Sequence, residues 1–312
     1  MLTFDTSYSY DRISFKILGN ILKIVKLPLF LHSKQILIIL SNSKDIELYK
    51  ELLQFPTNNK IQLPLLEDGV YYINIYTNNN EKDSSFWSYL QPRSLSIISK
   101  SQRFHFLTSP IININRCLVS KIPTDVITLE KFLKPSEKCQ SNNSIITSLA
   151  NRIIKFKVTP YQKVLAIHDW VASNIYYDLD SLNDKSCNSK LYTAIDVLNS
   201  KKCVCRGFTN LGVALMRASG IPAIGISCYS LNVCTDGGWE KEDNQVNIPN
   251  HIITAAYVNN RWIYMDITWD SDNIYSNQVF SRRRNVGISR KYFDVTFDMI
   301  SNTHKFISID SL

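Results

Sequence analysis

The amino-acid sequence predicts an α+β fold in which helices pack with an antiparallel sheet, preceded by a small β-sandwich-like domain. Short apolar runs separated by turn residues occupy the first third of the chain, which is typical of strands. Helical periodicity with recognisable start signals begins at about residue 145. Further along, two apolar runs joined by Asn259-Asn260 predict a β-hairpin, because Asn tolerates the positive φ of a two-residue turn.

The patterns divide the chain into four regions: an N-terminal segment over residues 1–31, a β-rich accessory domain over 32–108, a linker over 109–142 and a second domain over 143–312. Strands of the accessory domain are predicted at four apolar runs, 35–40, 60–65, 71–76 and 95–98. We expect this domain either to shape a substrate-binding surface or to take no part in chemistry.

Two helices open the second domain. The first is expected over 145–154. The second begins at Thr159, with Pro160 at the first helical position and Gln162 completing a capping box. This second helix should pack behind a further helix that begins near Cys205.

Cys205 stands where that further helix begins. An apolar stripe follows it and ends at Gly220 and Pro222. The unpaired N–H groups and the dipole of a helix N-terminus, together with the charge of Arg206, favour a thiolate over a thiol. A thiolate is the form that attacks an acyl carbon. The alternative is a small buried structural cysteine, so the partner of Cys205 decides between the two.

The hairpin supplies that partner. We expect strands over 251–258 and 261–269, whose ends beside the turn pair with each other. This register places Ile253 opposite Asp266, and Asp266 is then the diagonal neighbour of His251. Diagonal neighbours lie roughly 7–8 Å apart at the backbone, close enough for an imidazole N–H to reach a carboxylate. Cys, His and Asp so placed are the nucleophile, base and orienting acid of acyl transfer, unless a bulge breaks the register.

Other histidines have weaker settings. His168 lies in an apolar helical stretch and is expected to be structural. No comparable setting surrounds the remaining three, His32, His105 and His304. Asp266 is unusual because strands disfavour Asp and a carboxylate between Met265 and Ile267 needs a partner, for which His251 is the natural candidate.

Five motifs in chain order carry a family resemblance: Ile167-His168-Asp169-Trp170 with Tyr176-Tyr177-Asp178, Tyr192-Thr193-Ala194, Val204-Cys205-Arg206-Gly207-Phe208, His251, and Asp266-Ile267-Thr268-Trp269-Asp270. From about residue 160 to 270 the chain resembles the transglutaminase-like cysteine enzymes, which have a papain-like α+β fold. The segment 291–304 is similar to the tail that follows such domains in bacterial members. Two positions depart from the family pattern: Cys203 replaces a small residue, usually Gly, and Ile252-Ile253 follows His251 where many relatives have Ala-Trp.

The resemblance implies a nucleophile at Cys205, a general base at His251 and an orienting acid at Asp266, with a thioester acyl-enzyme formed on a peptide or protein amide. The backbone N–H of Cys205 is the expected oxyanion donor. A second donor is expected upstream of the nucleophile. Its candidates are Tyr192 and Thr193, and Trp269 is a candidate for shielding the site from water. An amine acceptor would give cross-linking, whereas water would give deamidation or peptide hydrolysis.

Composition excludes several other classes. The chain has 312 residues, seven cysteines at irregular spacing and a net charge of +8 that is spread out apart from Arg282-Arg283-Arg284. This favours free thiols over a disulfide framework or a zinc site, and a solvated basic face over a nucleic-acid site. No carboxylate-rich calcium loop is visible, so we expect chemistry without a cofactor.

Location and partners are predicted more coarsely. We find no export signal, and the apolar run over 21–31 is too short and too charged to span a bilayer, so a cytoplasmic location is expected. The polar stretch between Cys228 and Asn250 is interpreted as a lid or specificity loop, with a disordered segment as the alternative. A peptide or protein is the expected partner. The rival hypotheses are a cysteine peptidase acting on peptides or cell-wall stems and a catalytically silent scaffold that binds protein.

Overall fold

The computed structural model describes residues 3–5, 7–10, 13–27, 35–42, 46–54, 56–78, 87–108, 111–231, 247–282, 289–301, 303–310 and 312. Two compact units can be distinguished. The first comprises residues 1–115, 231–245 and 294–304, and the second comprises 116–230, 246–293 and 305–312. None of the helices described has both the length and the apolarity needed to cross a membrane.

Among its described residues, the first unit has ten strands in two sheets. In chain order they are β1 Thr3–Asp5, β2 Ser7–Tyr10, β3 Ile13–Leu18, β4 Ile21–Lys26, β5 Gln35–Asn42, β6 Glu47–Gln54, β7 Lys60–Gln62, β8 Gly69–Asn78, β9 Trp87–Lys100 and β10 Arg103–Thr108. One sheet has the order β1-β10-β9-β8-β5-β6 and the other β2-β3-β4-β7. Neighbouring strands are antiparallel throughout.

Alternating apolar side chains of both sheets form one core. Along β5, Ile36, Ile38 and Leu40 point inward at every second residue, and they share a cluster with Phe15 and Ile17 of the other sheet. This arrangement confirms the predicted β-sandwich-like region. Residues 1–31, predicted as a separate segment, contribute strands to both of these sheets.

The rest of the chain alternates helices and strands. Its elements are α1 Ile112–Val119, α2 Val126–Lys131, α3 Ser144–Ile154, α4 Pro160–Asn174, β11 Tyr176–Asp178, α5 Leu179–Asn183, a 3₁₀ turn Ser186–Ser189, α6 Ala194–Ser200, β12 Lys202–Cys203, α7 Cys205–Ala218, β13 Ala223–Ser230, β14 His251–Val258, β15 Arg261–Met265, α8 Ile267–Asp270, β16 Asn273–Ser276, β17 Val279–Arg282, α9 Phe297–Ile300 and β18 His304–Asp310. Part of the region predicted as a linker, 109–142, is therefore helical.

The central helix of the second unit is α7. Nearly all of it is buried, from Gly207 to Arg217, and it packs against α3, α4 and α6 on one side and β13 and β14 on the other. The predicted helix start at Thr159 is confirmed, since its hydroxyl accepts the N–H of Gln162 at 3.2 Å while the Gln162 side chain accepts the N–H of Thr159 at 3.1 Å. This capped helix, α4, packs behind α7 as expected.

Two sheets flank these helices. Both have four strands. The larger, whose strands are longer, has the order β15-β14-β13-β18, with antiparallel pairing from β13 to β15. The smaller, β12-β11-β16-β17, is parallel at β11 and antiparallel at its outer pair. The β14–β15 hairpin has the predicted register, with Val258 opposite Arg261, and both turn residues have positive φ, 52° at Asn259 and 60° at Asn260.

The hairpin differs from the prediction at its far end. Strand β15 ends at Met265, and residues 267–270 form the single helical turn α8 instead of continuing the strand to Trp269. Asp266 is the N-cap of this turn, because its Oδ1 accepts the N–H of Trp269 at 3.1 Å. The expected pairing of Ile253 with Asp266 is therefore wrong. Asp is among the best N-cap residues, and this local preference wins over extension of the strand.

Two predicted features lie wholly or partly outside the described residues. The stretch interpreted as a lid is described only up to residue 231 and again from 247. Of the basic triplet, Arg282 is described and residues 283 and 284 are not.

Candidate active site

The nucleophile candidate, Cys205, is the first residue of α7 and is half-buried. Val204 precedes it as the N-cap and provides no side-chain hydrogen bond to the helix. The first N–H groups of α7 thus remain without a capping side chain, beside the Cys205 sulfur. This is the position predicted for Cys205 from the sequence.

Cys203 has a structural setting. Its side chain is fully buried, and this burial, followed by the charge of Cys205, raises the pKa of the Cys203 thiol well above its usual value. A Cβ at Gly207 would lie 2.4 Å from Cβ and 2.5 Å from Sγ of Cys203, so the first turn of α7 rests directly on this cysteine. Cys203 therefore packs beneath the helix, whereas Cys205 faces the cavity described below.

The His251 side chain is held by Asp266. Strand β14 begins with His251, and its Nε2 lies 2.7 Å from Oδ2 of Asp266, whose side chain is fully buried. The other oxygen of Asp266 caps α8 through Trp269, and its backbone N–H donates to the carbonyl of Tyr292 at 3.0 Å. Asp266 is thus fixed on three sides, and the predicted His–Asp contact exists although Asp266 lies at the end of the hairpin rather than within a strand pair.

The charges around His251 favour an imidazolium. Burial alone would lower its pKa, but the Asp266 carboxylate and the Cys205 sulfur outweigh burial and raise the pKa of His251 to about 10. With Nε2 bonded to Asp266, Nδ1 is the nitrogen left for Cys205. Imidazole and carboxylate are also metal ligands, but a hydrogen bond between the two serves to orient the ring.

Comparison with known proteins identifies the region that carries these residues. Residues 147–267 match the family model described as the transglutaminase-like superfamily. This region is a transglutaminase-like domain. It holds Cys205, His251 and Asp266 and all of α7, so the resemblance inferred from the motifs is confirmed.

Individual relatives are distant. Kyphoscoliosis peptidase of Mus musculus is 24% identical over 157 residues, which are 50% of this chain and 23% of the mouse protein. The chain thus spans about a quarter of the length of that relative. A solved structure described as a candidate cysteine protease of Cytophaga hutchinsonii has 20% identity and a TM-score of 0.37, covering 91% of this chain and 84% of the other. Red sea bream transglutaminase has 13% identity and a TM-score of 0.30, covering 80% and 47%.

A cavity of about 410 Å³ opens beside the thiol of the transglutaminase-like domain. Both Cys205 and His251 line it. Three charged side chains, Lys138, Arg206 and Asp310, also line it. A substrate in this cavity would therefore lie beside the thiol and the imidazole. It would also meet two positively charged side chains and one carboxylate.

The two upstream oxyanion candidates make a backbone contact and a helix cap in the domain. Tyr192 is buried, and its carbonyl accepts the side-chain amide of Asn210 at 2.8 Å. Thr193 caps α6, accepting the N–H of Asp196 at 3.2 Å and donating to its carboxylate at 2.7 Å. Neither side chain is among those that line the cavity around Cys205.

Tyr177 is the aromatic residue that lines this cavity, and the sequence reasoning did not select it. It lies in β11, directly after α4, and its ring stacks on Phe208 of α7 at 6.4 Å between centroids. Burial and then the charge of Cys205 raise the pKa of the Tyr177 phenol, so it keeps its proton and remains a donor at neutral pH. Its place in the Tyr176-Tyr177-Asp178 motif was the available signal.

Trp269 lies against the imidazole of His251. Its ring is tilted over that of His251 at 5.7 Å between centroids and meets Tyr292 edge-on at 5.2 Å. An aromatic surface on this side of His251 limits the approach of water to the imidazole. The shielding role of Trp269 stays a prediction.

Proposed function

We propose that this domain is a thiol enzyme that takes the acyl group of a peptide or protein amide onto Cys205 and releases it to water. The observation that carries the proposal is the 2.7 Å bond between His251 and Asp266, made by a histidine that shares a cavity with a thiol at a helix N-terminus. A merely structural histidine would not need a buried carboxylate on one side and an accessible thiol on the other.

The groups present account for each step of the reaction. The Cys205 thiol transfers its proton to Nδ1 of His251, and the thiolate attacks the amide carbon. The N–H of Cys205 and the Tyr177 phenol stabilise the oxyanion. His251 then gives its proton to the leaving amine as the C–N bond breaks, which leaves a thioester. In the second half His251 takes a proton from water, which hydrolyses the thioester and restores the thiol.

Water is the acceptor we favour. The mouse relative is named a peptidase, which supports hydrolysis for this chain. Transfer to a primary amine uses the same thioester and the same three residues, so it is the second outcome of the same experiment. We further propose that the β-rich N-terminal region is an accessory domain that does not supply reacting groups.

The experiment is turnover of a pooled peptide library in the presence of a fluorescent primary amine. We expect hydrolysis products, either new peptide termini or deamidated side chains detected by mass spectrometry, from the wild-type protein and from Cys117→Ala, and none from Cys205→Ala. Cys117 is exposed and lies outside the cavity, so it is the matched control. Fluorescent peptides without hydrolysis products would show that the acyl group is transferred to an amine rather than to water. If a folded wild-type protein gives neither product, a silent binding scaffold is favoured.

A further inference from the structure

A second histidine–carboxylate cluster lies behind the active site, around His168. The His168 side chain in α4 is fully buried. Its Nδ1 lies 3.0 Å from Oδ1 of Asp169, and its Nε2 lies 3.1 Å from Oδ2 of Asp270 at the end of α8. The ring is not among the groups that line the cavity of Cys205, so it does not touch a substrate there.

The geometry favours a charged His168. An ionised carboxylate only accepts hydrogen bonds, and a neutral imidazole has one N–H. A neutral ring would therefore point a lone pair at one of the two carboxylates in a buried site. A ring protonated on both nitrogens donates to each of them. Burial opposes this charge, but the bonds to Asp169 and Asp270 prevail and raise the pKa of His168.

The cluster is balanced in charge. Asp169 also receives two hydrogen bonds from Arg290, at 2.6 Å and 3.1 Å. Two carboxylates, one guanidinium and one imidazolium therefore sum to zero, as a buried ionic group needs. On its remaining side, His168 meets the ring of Phe293 at 5.0 Å between centroids. Apart from Asp169, Asp270 and Arg290, the described contacts bring no other charged group to the ring.

The same cluster holds the far end of α8. Asp270 accepts the Ser289 hydroxyl at 2.9 Å and the N–H of Tyr292 at 3.0 Å, in addition to His168. Asp266 stands at the other end of α8, which is a single turn of four residues. A helix this short has no stability of its own, so its position depends on what holds its two ends.

We propose that the His168–Asp270 pair fixes α8 and thereby aims Asp266 at His251, which makes His168 a positioning residue of the active site. This inference rests on the proposed roles of His251 and Asp266 in catalysis. Loss of the pair lets Asp266 withdraw from His251. His251 then loses its proton at lower pH, and the ion pair with Cys205 becomes rarer. A misplacement of about 1 Å at a reacting group can cost up to about 100-fold in rate.

The test is a histidine NMR titration of Asp270→Asn with nitrogen-labelled imidazole rings. The chain has only five histidines, so the signals can be assigned by substitution. In the wild type we expect both ring nitrogens of His168 to be protonated at neutral pH. In Asp270→Asn we expect His251 to titrate at least about one pH unit lower, which corresponds to a tenfold change in its proton affinity. Where peptides are turned over, kcat should fall about 10- to 100-fold with little change in KM.

Thr159→Ala is the matched control, because it weakens the same helix α4 at its cap and leaves the cluster intact. It should lower the melting temperature without moving the His251 titration. A neutral His168 in the wild type would overturn the proposal, as would an unchanged His251 titration in folded Asp270→Asn. If that variant does not fold, His168→Gln, which removes the same pair from its other side, is measured with the His251 criterion. The NMR result stands without any substrate, so failure of this inference is distinguishable from absence of peptide turnover.

Discussion

The substitution Asp266→Asn separates the two roles of this residue. Oδ1 caps α8 through Trp269, and Oδ2 holds Nε2 of His251 at 2.7 Å. Asn is as good an N-cap as Asp, so the variant should keep α8 in place. It loses the charge that favours the imidazolium, and its amide can donate to Nε2. The single proton of the ring then moves to Nδ1, the nitrogen that has to accept from Cys205.

The magnitude follows from the bond that is lost. A hydrogen bond to a charged group contributes about 1.5–3 kcal/mol. At 1.36 kcal/mol per factor of ten, this corresponds to a loss of roughly 10- to 150-fold in the population of the Cys205–His251 ion pair. The side chain of Asp266 is fully buried, so solvent does not screen the effect.

The assay is the rate of alkylation of Cys205 by iodoacetamide at pH 6.5, read by peptide mass spectrometry. We expect Asp266→Asn to slow the labelling of Cys205 by this factor. Labelling of the exposed Cys117 in the same sample should be unchanged, which gives an internal reference. Asp266→Ala should show the same loss together with a lower melting temperature, since it also removes the cap. A rate for Asp266→Asn within about twofold of the wild type would refute this account of the charge.

Three further predictions concern pH, substrate and packing. The folded pKa of His251 is raised from 6.5 to about 10, so kcat/KM should fall as pH rises through about 10. In Asp266→Asn this fall should occur at lower pH. A fall at the same pH in the variant would contradict the assignment of this pKa to His251. Since Lys138 and Arg206 line the cavity, peptides with a carboxylate near the reactive amide should have a lower KM, and Arg206→Gln should remove that preference; equal KM values for acidic and neutral peptides would argue against it. Gly207→Ala should destabilise the fold by about 1–3 kcal/mol, because its Cβ would lie 2.4 Å from that of Cys203; thermal melting should show partial recovery with Cys203→Gly.

The sequence was informative where local rules and packing agree. The apolar run of β14 and the two Asn residues of its turn predict the hairpin and its register, and the structure confirms both from Val258 and Arg261 to Thr254 and Met265. The position of Cys205 at the start of α7 follows from the apolar stripe and the stop at Gly220. In each case a short-range pattern determines the element.

Sequence reasoning failed where contacts with distant parts of the chain determine the local structure. The turn α8 replaces the expected strand end because Asp266 caps it and because Asp270 is held by His168, 102 residues earlier. The cap itself could have been predicted from the preference of Asp for that position. The contact of Asp270 with His168 could not have been predicted, since no pattern near residue 270 indicates a partner in α4.

The aromatic residue at the cavity was missed for a similar reason. Tyr177 was recognised within a motif, but its proximity to Cys205 arises from the parallel pairing of β11 with β12, which brings Tyr177 opposite Cys203. The two upstream candidates, Tyr192 and Thr193, are close to the nucleophile along the chain but are not among the residues that line its cavity. Sequence proximity was therefore a poor guide to which side chains line the cavity.

The most direct test of the central claim is acylation of Cys205 by an activated ester. Wild-type protein is mixed with p-nitrophenyl acetate at neutral pH, and the acetylated residue is located by mass spectrometry while nitrophenol release is followed. We predict a rapid burst that places one acetyl group on Cys205 as a thioester and that is lost in His251→Ala. Acetylation of Cys205 no faster than that of Cys117, or equally fast without His251, would contradict an activated nucleophile at this site.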